Sequence, residues 1–301
     1  MLSLAPGEVS ASCFIAPHPR LKPYLSTYYF TAMESSGGDE VLDWMTPEWA
    51  SVRYAYHGAT RGGIHTEPMA EIPRTHFVGP TTLASPFASH SARVASIGFL
   101  PLGWCRFMKE PASNWANRVG PAGEIRAHAR FMDYWPAIES ARDPAAIAAI
   151  FDAMLLDALD RAGDASCTKE ALIAAAHDAL INPDITSAGA MADHLGMTSK
   201  QLHRFSTRVF GFTPKLLIRR QRFIRTLAAV MHNPASNWAA ALDLQYYDQS
   251  HFNRDFREFY GMSPEQYRRE PHPVISAAAR ARTKALGDPL PALQRPVLGT
   301  E

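Results

Sequence analysis

The strongest constraint on the fold is a repeat at an offset of 50 residues in the last third of the chain. The matched positions are identical or alike in chemical type: Leu202 with Phe252, Arg204 with Arg254, Val209 with Phe259, Phe210-Gly211 with Tyr260-Gly261, and Thr213-Pro214 with Ser263-Pro264. A single match would be chance. A series in the same order indicates the duplication of one supersecondary unit.

The first copy has the pattern of two helices joined by a tight turn. Gly196 stands where such a turn needs a left-handed residue. Thr198 and Gln201 form a capping box that predicts the start of the second helix. The apolar residues of that helix, at i, i+3 and i+7, are predicted to pack inward: Leu202, Phe205 and Val209.

The second copy has the same organisation. Asp248 is a good N-cap for its second helix. The predicted inward stripe of that helix consists of Phe252, Phe256 and Phe259. Between the two copies, a long helix is predicted to begin at Pro214, and its arginines are Arg219, Arg220, Arg222 and Arg225.

The outer faces left by these two stripes are polar and basic. A helix about 10–12 Å across fits the major groove of B-DNA, about 12 Å wide, so these faces are candidate DNA contacts. In the first unit the candidates are Thr198, Ser199, Lys200, His203, Arg204 and Thr207. In the second unit they are Asp248, Gln249, Ser250, Asn253, Arg254 and Arg257.

Each residue type suggests a role in DNA recognition. Arginines such as Arg204 and Arg254 can donate two hydrogen bonds to guanine, and Gln249 and Asn253 can pair with adenine. Lys200 and His203 are candidates for purine edges, whereas Thr198, Ser199, Ser250 and the helix N-termini can hold phosphates. Two such helices could enter successive grooves about 34 Å apart. The alternative is a helical bundle whose polar faces meet only water.

The charge distribution favours an anionic partner for this region. Residues 196–272 carry twelve Lys and Arg against six Asp and Glu, whereas residues 1–195 carry fourteen against twenty-one. Opposite charge in two parts of a chain suggests different partners. Uneven surface charge without a function is the alternative.

The first hundred or so residues are predicted to be β-rich. The stretch 51–58 alternates Val52, Tyr54 and Tyr56 with smaller or polar residues, a pattern typical of a half-buried strand. A helix is predicted around 103–110, because Trp104, Phe107 and Met108 have helical spacing. From residue 144 the pattern becomes helical.

The second unit resembles the DNA-binding domain of AraC/XylS-family transcription regulators. The residues that match the family pattern are Ala241, Gln245-Tyr246, Asp248, Ser250-His251-Phe252, Arg254, Phe256-Arg257, Gly261, Ser263-Pro264 and Tyr267-Arg268. The resemblance covers about 186–270. It implies two helix-turn-helix units joined by a long helix, and sequence-specific binding to double-stranded DNA.

Three positions depart from the family pattern. Gln245 replaces the usual turn glycine, which would cost on the order of 1 kcal/mol if that residue were left-handed. Ala240 replaces a usual isoleucine, and Ser206 stands where an aromatic residue is usual, with Phe205 and Phe210 as compensation.

A weaker resemblance in the first part implies a β-rich, cupin-like domain with flanking helices that senses a small-molecule effector or dimerises. The predicted fold is therefore multi-domain α and β, with an all-α C-terminal domain. The predicted boundaries are 1–163 for the sensor domain, 164–169 for a linker, 170–272 for the DNA-binding domain and 273–301 for a weakly ordered tail. RNA polymerase and a second copy of the chain are further candidate partners.

The rival class is a metal-dependent cupin-type enzyme with an appended helical domain. His57, His65 and Glu67 are its candidate ligands, although unrelated surface or core histidines are more common. The aromatic residues that could line an effector pocket, or simply form a core, are Trp44, Trp49, Tyr54, Tyr56, Trp104 and Trp115. We expect no catalytic centre, metal or cofactor. A third hypothesis is that the protein is a protein-interaction module that does not bind DNA.

The sequence also bears on where the protein acts. It contains no apolar run of about 18 residues and no convincing signal peptide, so no membrane partner is predicted. The three cysteines form no CxxC pair, so neither a zinc site nor a disulfide framework is suggested. These features together predict a cytoplasmic protein.

Overall fold

A computed structural model gives the fold of most of the chain. The residues it describes are 2, 4–35, 37–125, 132–141, 143–162, 169–232, 238, 242–243, 245–287 and 289–295. Apart from residue 169, the predicted linker lies outside these residues, as does most of the stretch that would hold the first helix of the second unit.

The first part of the chain is built from strands that pair antiparallel. They are β1 Ser10–Ile15, β2 Leu25–Glu34, β3 Val41–Met45, β4 Ser51–Gly58, β5 Thr60–Gly62, β6 Ala70–Ile72, β7 Thr75–Val78, β8 Ser85–Ser89, β9 Ser91–Phe99 and β10 Val119–Pro121. One sheet has the order β1-β2-β9-β4-β7-β10 and the other the order β3-β8-β5-β6. The β-rich prediction is confirmed.

Strand β4 has the predicted bounds but not the predicted environment. Both Val52 and its neighbour Ser51 are fully buried, so β4 is not half-exposed. The reason is its position between β7 and β9, in the interior of the six-stranded sheet.

Helices cover one face of that sheet. Pro101–Gly103 continues into a π-helix, Trp104–Met108, where a helix was predicted. Next come α1 Trp135–Ser140 and α2 Pro144–Ala162, with short 3₁₀ turns at Pro19–Leu21, Ala112–Asn114, Ala122–Glu124 and Pro291–Leu293. The ring of Phe151 on α2 lies 5.2 Å from Tyr28 and 5.4 Å from Tyr54, which anchors α2 to the sheet.

The last part of the chain is helical. The helices are α3 Glu170–Ile181, α4 Ala188–His194, α5 Ser199–Phe210, α6 Pro214–His232, α7 Gln249–Tyr260, α8 Pro264–Arg269 and α9 Pro273–Leu286. Helices α5 and α7 have 12 residues each and begin 50 positions apart. Each ends at a left-handed glycine, with φ +87° at Gly211 and +73° at Gly261. The structure thus confirms the duplication for this pair of helices.

Helix α9 occupies the stretch that was expected to be a weakly ordered tail. Its buried residues Val274, Ile275 and Ala279 face β1 and β3. The sequence pattern is weak because much of the packed face is alanine, and because the N-cap comes from another part of the chain. Asp43 of β3 accepts the N–H groups of residues 274 and 275, both at 2.9 Å.

The helical part contacts the β-rich part at several points. A Cβ atom at Gly211 would come within 3.1 Å of Pro80, and one at Gly261 within 2.7 Å of Thr66. The N–H group of Ala84 donates to the carbonyl of Phe259 at 2.7 Å. Within the described residues, no helix combines the length and the apolar composition needed to cross a bilayer.

Candidate nucleic-acid interface

Helix α5 is held at its N-terminus by the predicted capping box. The N–H of Gln201 donates to Thr198 Oγ1 at 3.3 Å, and the N–H of Thr198 donates to Gln201 Oε1 at 2.8 Å. Leu202 is buried, and Phe205 and Val209 are half-buried against the same core, so the inward stripe is confirmed.

The candidate residues of α5 differ in exposure. Those at its N-terminal end are exposed: Thr198, Ser199, Lys200, His203 and Arg204. Thr207 is half-buried, and its hydroxyl oxygen lacks a hydrogen-bond partner in the described part of the chain. A cleft of about 1170 Å³ separates this side of α5 from Cys105, Pro111 and Ser113. The N-terminal half of α5 is therefore the more accessible half.

Helix α7 repeats this arrangement with a different cap. Asp248 Oδ1 accepts the N–H of His251 at 2.7 Å, which satisfies a free donor of the first turn. Of the six candidates of the second unit, Asn253 is half-buried and five are exposed: Asp248, Gln249, Ser250, Arg254 and Arg257. Thus the structure presents polar and basic side chains on equivalent helices of both units.

The predicted inward stripe of α7 is confirmed. Phe252 and Phe256 are fully buried and Phe259 is 1% exposed. All three rings surround Phe223 of α6, with centroid distances between 5.1 and 5.9 Å. The aromatic core fixes α7 against the connecting helix and leaves its opposite face for a partner.

The arginines of α6 are engaged within the protein. Arg219 donates to Asp255 at 2.6 Å and also pairs with Glu258, and Arg222 donates to Asp255 at 3.0 Å. Arg225 pairs with Asp243, and Arg220 is fully buried. These arginines were counted in the excess of basic over acidic residues in 196–272, but in the structure their charges are compensated by carboxylates or buried. The exposed basic groups of this region include Lys200 and Arg204 of α5 and Arg254 and Arg257 of α7.

Asp255 is the centre of the network under α7. It is fully buried and accepts the hydroxyl of Tyr246 at 2.8 Å in addition to the two guanidinium groups. Burial, and secondly the charge of Asp255, raise the pKa of Tyr246 well above its usual value, so this hydroxyl remains a donor. The network therefore ties the turn, α6 and α7 together.

The sequence comparison identifies this region. A family model described as "Helix-turn-helix domain" matches residues 191–270, which include α5, α6 and α7. The C-terminal region is an AraC-type helix-turn-helix domain. The chain matches no curated protein.

Solved structures that match about three quarters of the chain share little sequence with it. ToxT from Vibrio cholerae strain SCE256 with an unsaturated fatty acid bound is 9% identical, with 78% of this chain and 96% of that chain covered and a TM-score of 0.43. An apo ToxT variant of the same strain is 10% identical, with 80% and 96% covered and a TM-score of 0.44. The AraC-like transcriptional activator CuxR is 12% identical, with 73% and 87% covered and a TM-score of 0.26.

The AraC-type domain tolerates its two described departures from the family pattern. Gln245 is not left-handed; among described non-glycine residues, positive φ occurs at His65, Lys109 and Asn117. Its N–H donates to Asp243 Oδ1 at 2.9 Å, which supports the turn, so the expected strain does not arise. The third departure, position 240, lies outside the described residues.

Ser206 is fully buried in the first unit of the AraC-type domain. Phe210 fills the space beside it, 6.1 Å from Phe205 and 5.9 Å from Trp49 of the β-rich part. Phe205 and Phe210 therefore compensate for the missing aromatic residue at position 206, as expected. The ring of Trp49, from the β-rich part, adds to this packing.

The candidate metal ligands and pocket aromatics of the β-rich part are placed differently. His57 and Glu67 are exposed and His65 is half-buried. In the described portion of the chain, no three His, Cys, Asp or Glu side chains are grouped to hold a metal ion.

Four of the six aromatic residues that were candidates for an effector pocket are core residues, no more than 4% exposed: Trp49, Tyr54, Trp104 and Trp115. Trp44 and Tyr56 are half-buried.

The structure reveals a cavity that the sequence did not indicate. It lies between α9, β1, β2 and the end of β3, and Phe14, Tyr29, Glu48 and Arg282 are among its lining residues. In the sequence, Arg282 stands among alanines near the end of the chain, but this pattern does not indicate where in the fold a cavity lies.

Proposed function

We propose that the protein is an effector-responsive, sequence-specific DNA-binding transcription regulator, in which α5 and α7 enter successive major grooves. The observation that carries this proposal is the pair of equivalent capped helices with exposed polar faces in an AraC-type domain. Helices of this diameter fit the major groove, and their separation along one connecting helix suits two grooves on one side of the duplex.

The side chains have distinct roles in this proposal. Arg204 and Arg254 contact guanine, Gln249 and Asn253 contact adenine, and Lys200 and His203 contact purine edges. Ser199, Ser250, Thr207 and Arg257 lie near the backbone of the duplex, and Thr198 and Asp248 act through the helix N-termini that they cap. Their exposure supports these roles for all but Thr207 and Asn253, which are half-buried.

The β-rich region, which we place at 1–163, would sense an effector or form a dimer. An effector that favours one arrangement of the two regions would change DNA affinity or contact with RNA polymerase through a population shift. The contacts at Gly211, Gly261 and Ala84 give such an effector a physical route to the helices. The protein would act in the cytoplasm, with access to chromosomal DNA.

A gel-shift titration against DNA from upstream of the protein's own gene tests the proposal. Arg204→Ala and Arg254→Ala should each weaken specific binding by about 1–3 kcal/mol and relax base preference. Arg61→Ala is the control, because Arg61 pairs with Glu40 in the β-rich region. Unchanged specific affinity in both arginine variants would show that other residues recognise the bases. Failure to shift any DNA would contradict the function itself.

A further inference from the structure

A short segment joins α8, the last helix of the AraC-type domain, to α9, which packs on β1 and β3. His272 stands in this segment, immediately before α9, and its side chain is 12% exposed. Its ring stacks on Tyr267 of α8, with the ring centres 3.8 Å apart and the planes inclined by 20°. Trp44 of β3 packs edge-on against the same ring at 5.7 Å. The imidazole of His272 therefore contacts both the helical part and the β-rich part of the protein.

Both ring nitrogens of His272 face hydrogen-bond acceptors. Nδ1 lies 3.0 Å from Asp43 Oδ1, and Nε2 lies 2.7 Å from the carbonyl oxygen of Tyr267. A neutral imidazole carries one N–H group, so it would turn the lone pair of its other nitrogen towards one of these oxygens. Only the imidazolium, which has two N–H groups, can donate to both acceptors at once.

Asp43 is fully buried, and its other hydrogen bonds require the ionised carboxylate. Oδ1 also accepts the N–H of Trp44 at 2.8 Å, and Oδ2 accepts the N–H groups of Val274 and Ile275, both at 2.9 Å. With His272, four donors surround the two oxygens, so a protonated carboxyl group would place its proton against another donor. Asp43 is therefore a buried anion, and His272 is its cationic partner.

The other titratable groups at this junction leave the imidazolium favoured. Besides Asp43 from β3, α8 supplies Tyr267 and, at its C-cap, Glu270, and α7 supplies Tyr260 behind Tyr267, while α9 supplies its first N–H groups. Burial raises the pKa of both tyrosines above the usual value, so their hydroxyl groups stay neutral. Burial lowers the pKa of His272, but its hydrogen bonds to Asp43 and to the carbonyl of Tyr267, and then the charges of Asp43 and Glu270, outweigh this effect and raise it.

We propose that His272 and Asp43 form a proton-dependent latch, which holds the junction of α8 and α9 on β3 and weakens when His272 loses its proton. Without that proton, the buried carboxylate loses its counter-charge, and the same carboxylate caps α9. Since an unfolded histidine titrates near 6.5 and the folded pKa is raised, the latch stabilises fully below about pH 6.5. Its contribution is lost as the pH rises through the folded value.

The latch also connects to the second unit of the AraC-type domain. Tyr267, which stacks on His272, packs on Phe256 of α7 with the ring centres 5.5 Å apart. Release of the junction therefore changes the support of α7 from below, and DNA affinity should respond to pH. This regulatory consequence rests on the proposed function, whereas the latch does not.

A pH titration of the imidazole nitrogens by nuclear magnetic resonance, on the nitrogen-15-labelled full chain, tests the latch. The signals absent from His272→Gln identify the residue. Both ring nitrogens of His272 should be protonated at pH 6.5, with a titration midpoint above that value. In Asp43→Asn the midpoint should fall by at least about one pH unit, a tenfold loss of proton affinity, while the signals of the exposed His90 stay unchanged. A neutral His272 at pH 6.5, or an unchanged midpoint in Asp43→Asn, would overturn the latch.

Because Asp43→Asn also weakens the cap of α9, urea unfolding of His272→Gln provides a second measurement. In the parent, the urea concentration at the midpoint should fall between pH 6.5 and pH 9. In His272→Gln it should fall by less, since glutamine has no proton to lose in this range. His90→Gln, at an exposed position, is the matched control and should retain the fall seen in the parent. Equal falls in the parent and in His272→Gln would overturn the proton dependence.

Gel shifts at pH 6.5 and pH 9 distinguish the latch from the proposed function. If His272 titrates as expected and DNA affinity depends on pH more in the parent than in His272→Gln, both stand. If His272 titrates as expected and the two proteins show the same pH dependence, the latch stands and the regulatory consequence fails. If His272 is neutral at pH 6.5 but DNA is shifted specifically, the latch fails while DNA recognition stands.

Discussion

The guanidinium carbon of Arg220 lies 3.9 Å from the ring centre of Trp49, joining the connecting helix α6 to the β-rich region. The same side chain donates to the carbonyl of Thr81 at 3.0 Å. Complete burial lowers the pKa of Arg220 to about 9, so the group is still charged at neutral pH. A cation held in this way makes the orientation of α6 depend on the β-rich region.

We expect Arg220→Gln to lower the free energy of unfolding by about 2–4 kcal/mol, because it removes a buried cation–π contact and charged hydrogen bonds. Urea unfolding followed by fluorescence measures the change. Lys215→Gln on the exposed side of α6 is the control and should stay within about 0.5 kcal/mol of the parent. Equal effects of the two variants would show that the contact contributes little.

Asp255→Ala should destabilise the second unit by about 3–5 kcal/mol, because it leaves Arg219 and Arg222 without their buried partner. Glu258→Gln is the matched control. Glu258 pairs with Arg219 at the surface and is 52% exposed, so its loss should cost at most about 1 kcal/mol. Thermal unfolding by circular dichroism distinguishes these outcomes. A small effect at Asp255 would mean that the aromatic core alone holds α7.

Ser206→Ala should stabilise the first unit by up to about 1 kcal/mol. The hydroxyl oxygen of Ser206 is buried without a hydrogen-bond partner among the described residues, and its removal relieves that desolvation. Ser187→Ala should have the opposite sign, because Ser187 accepts the N–H of Ala190 at 3.1 Å as the N-cap of α4. Chemical denaturation of both variants gives the comparison. A loss of stability in Ser206→Ala would reveal a partner for the hydroxyl.

Local features of the helical region were predictable because their determinants lie within a few residues. The capping box at Thr198, the N-cap at Asp248 and the inward phenylalanines of α7 follow from short spacings. The compensation of Arg219 by Asp255 was not predictable, because it joins residues 36 positions apart. For the same reason, the cap that Asp43 supplies to α9 could not be found from the local pattern of alanines.

Acid should destabilise the protein through His177. Burial, and then the charge of Arg220, lower the pKa of His177 to about 3, whereas an unfolded histidine titrates near 6.5. The unfolded chain therefore binds the extra proton between these values, and stability falls as pH drops through that window. At pH 5 the loss from this residue is about 2 kcal/mol relative to neutral pH.

Urea unfolding of His177→Leu at pH 7 and pH 5 measures this contribution. The difference between the two pH values should shrink by about the same 2 kcal/mol in the variant. His90→Gln, at an exposed position, should retain the parent dependence. An unchanged pH dependence in His177→Leu would mean that other groups, such as the buried His76, dominate.

The salt dependence of DNA binding should separate surface charges from internal ones. Arg257→Gln should reduce the slope of log affinity against log salt by about 1, because one phosphate contact is lost. Arg225→Gln removes the same charge but should leave the slope unchanged, since Arg225 pairs with Asp243 inside the domain. Gel shifts at several salt concentrations provide the slopes. Equal slopes in both variants would place Arg257 away from the duplex.

Gly211 and Gly261 have one further consequence. Each ends the same helix of the repeat, and each lies against a different surface of the β-rich region, Pro80 in one case and Thr66 in the other. Two copies of one element therefore give that region two points of attachment, equivalent in backbone shape but distinct in chemistry. A change in the distance between the units cannot keep both contacts. The β-rich region therefore constrains the distance between α5 and α7. To bind an operator whose half-sites require another spacing, the protein must release one of these two contacts.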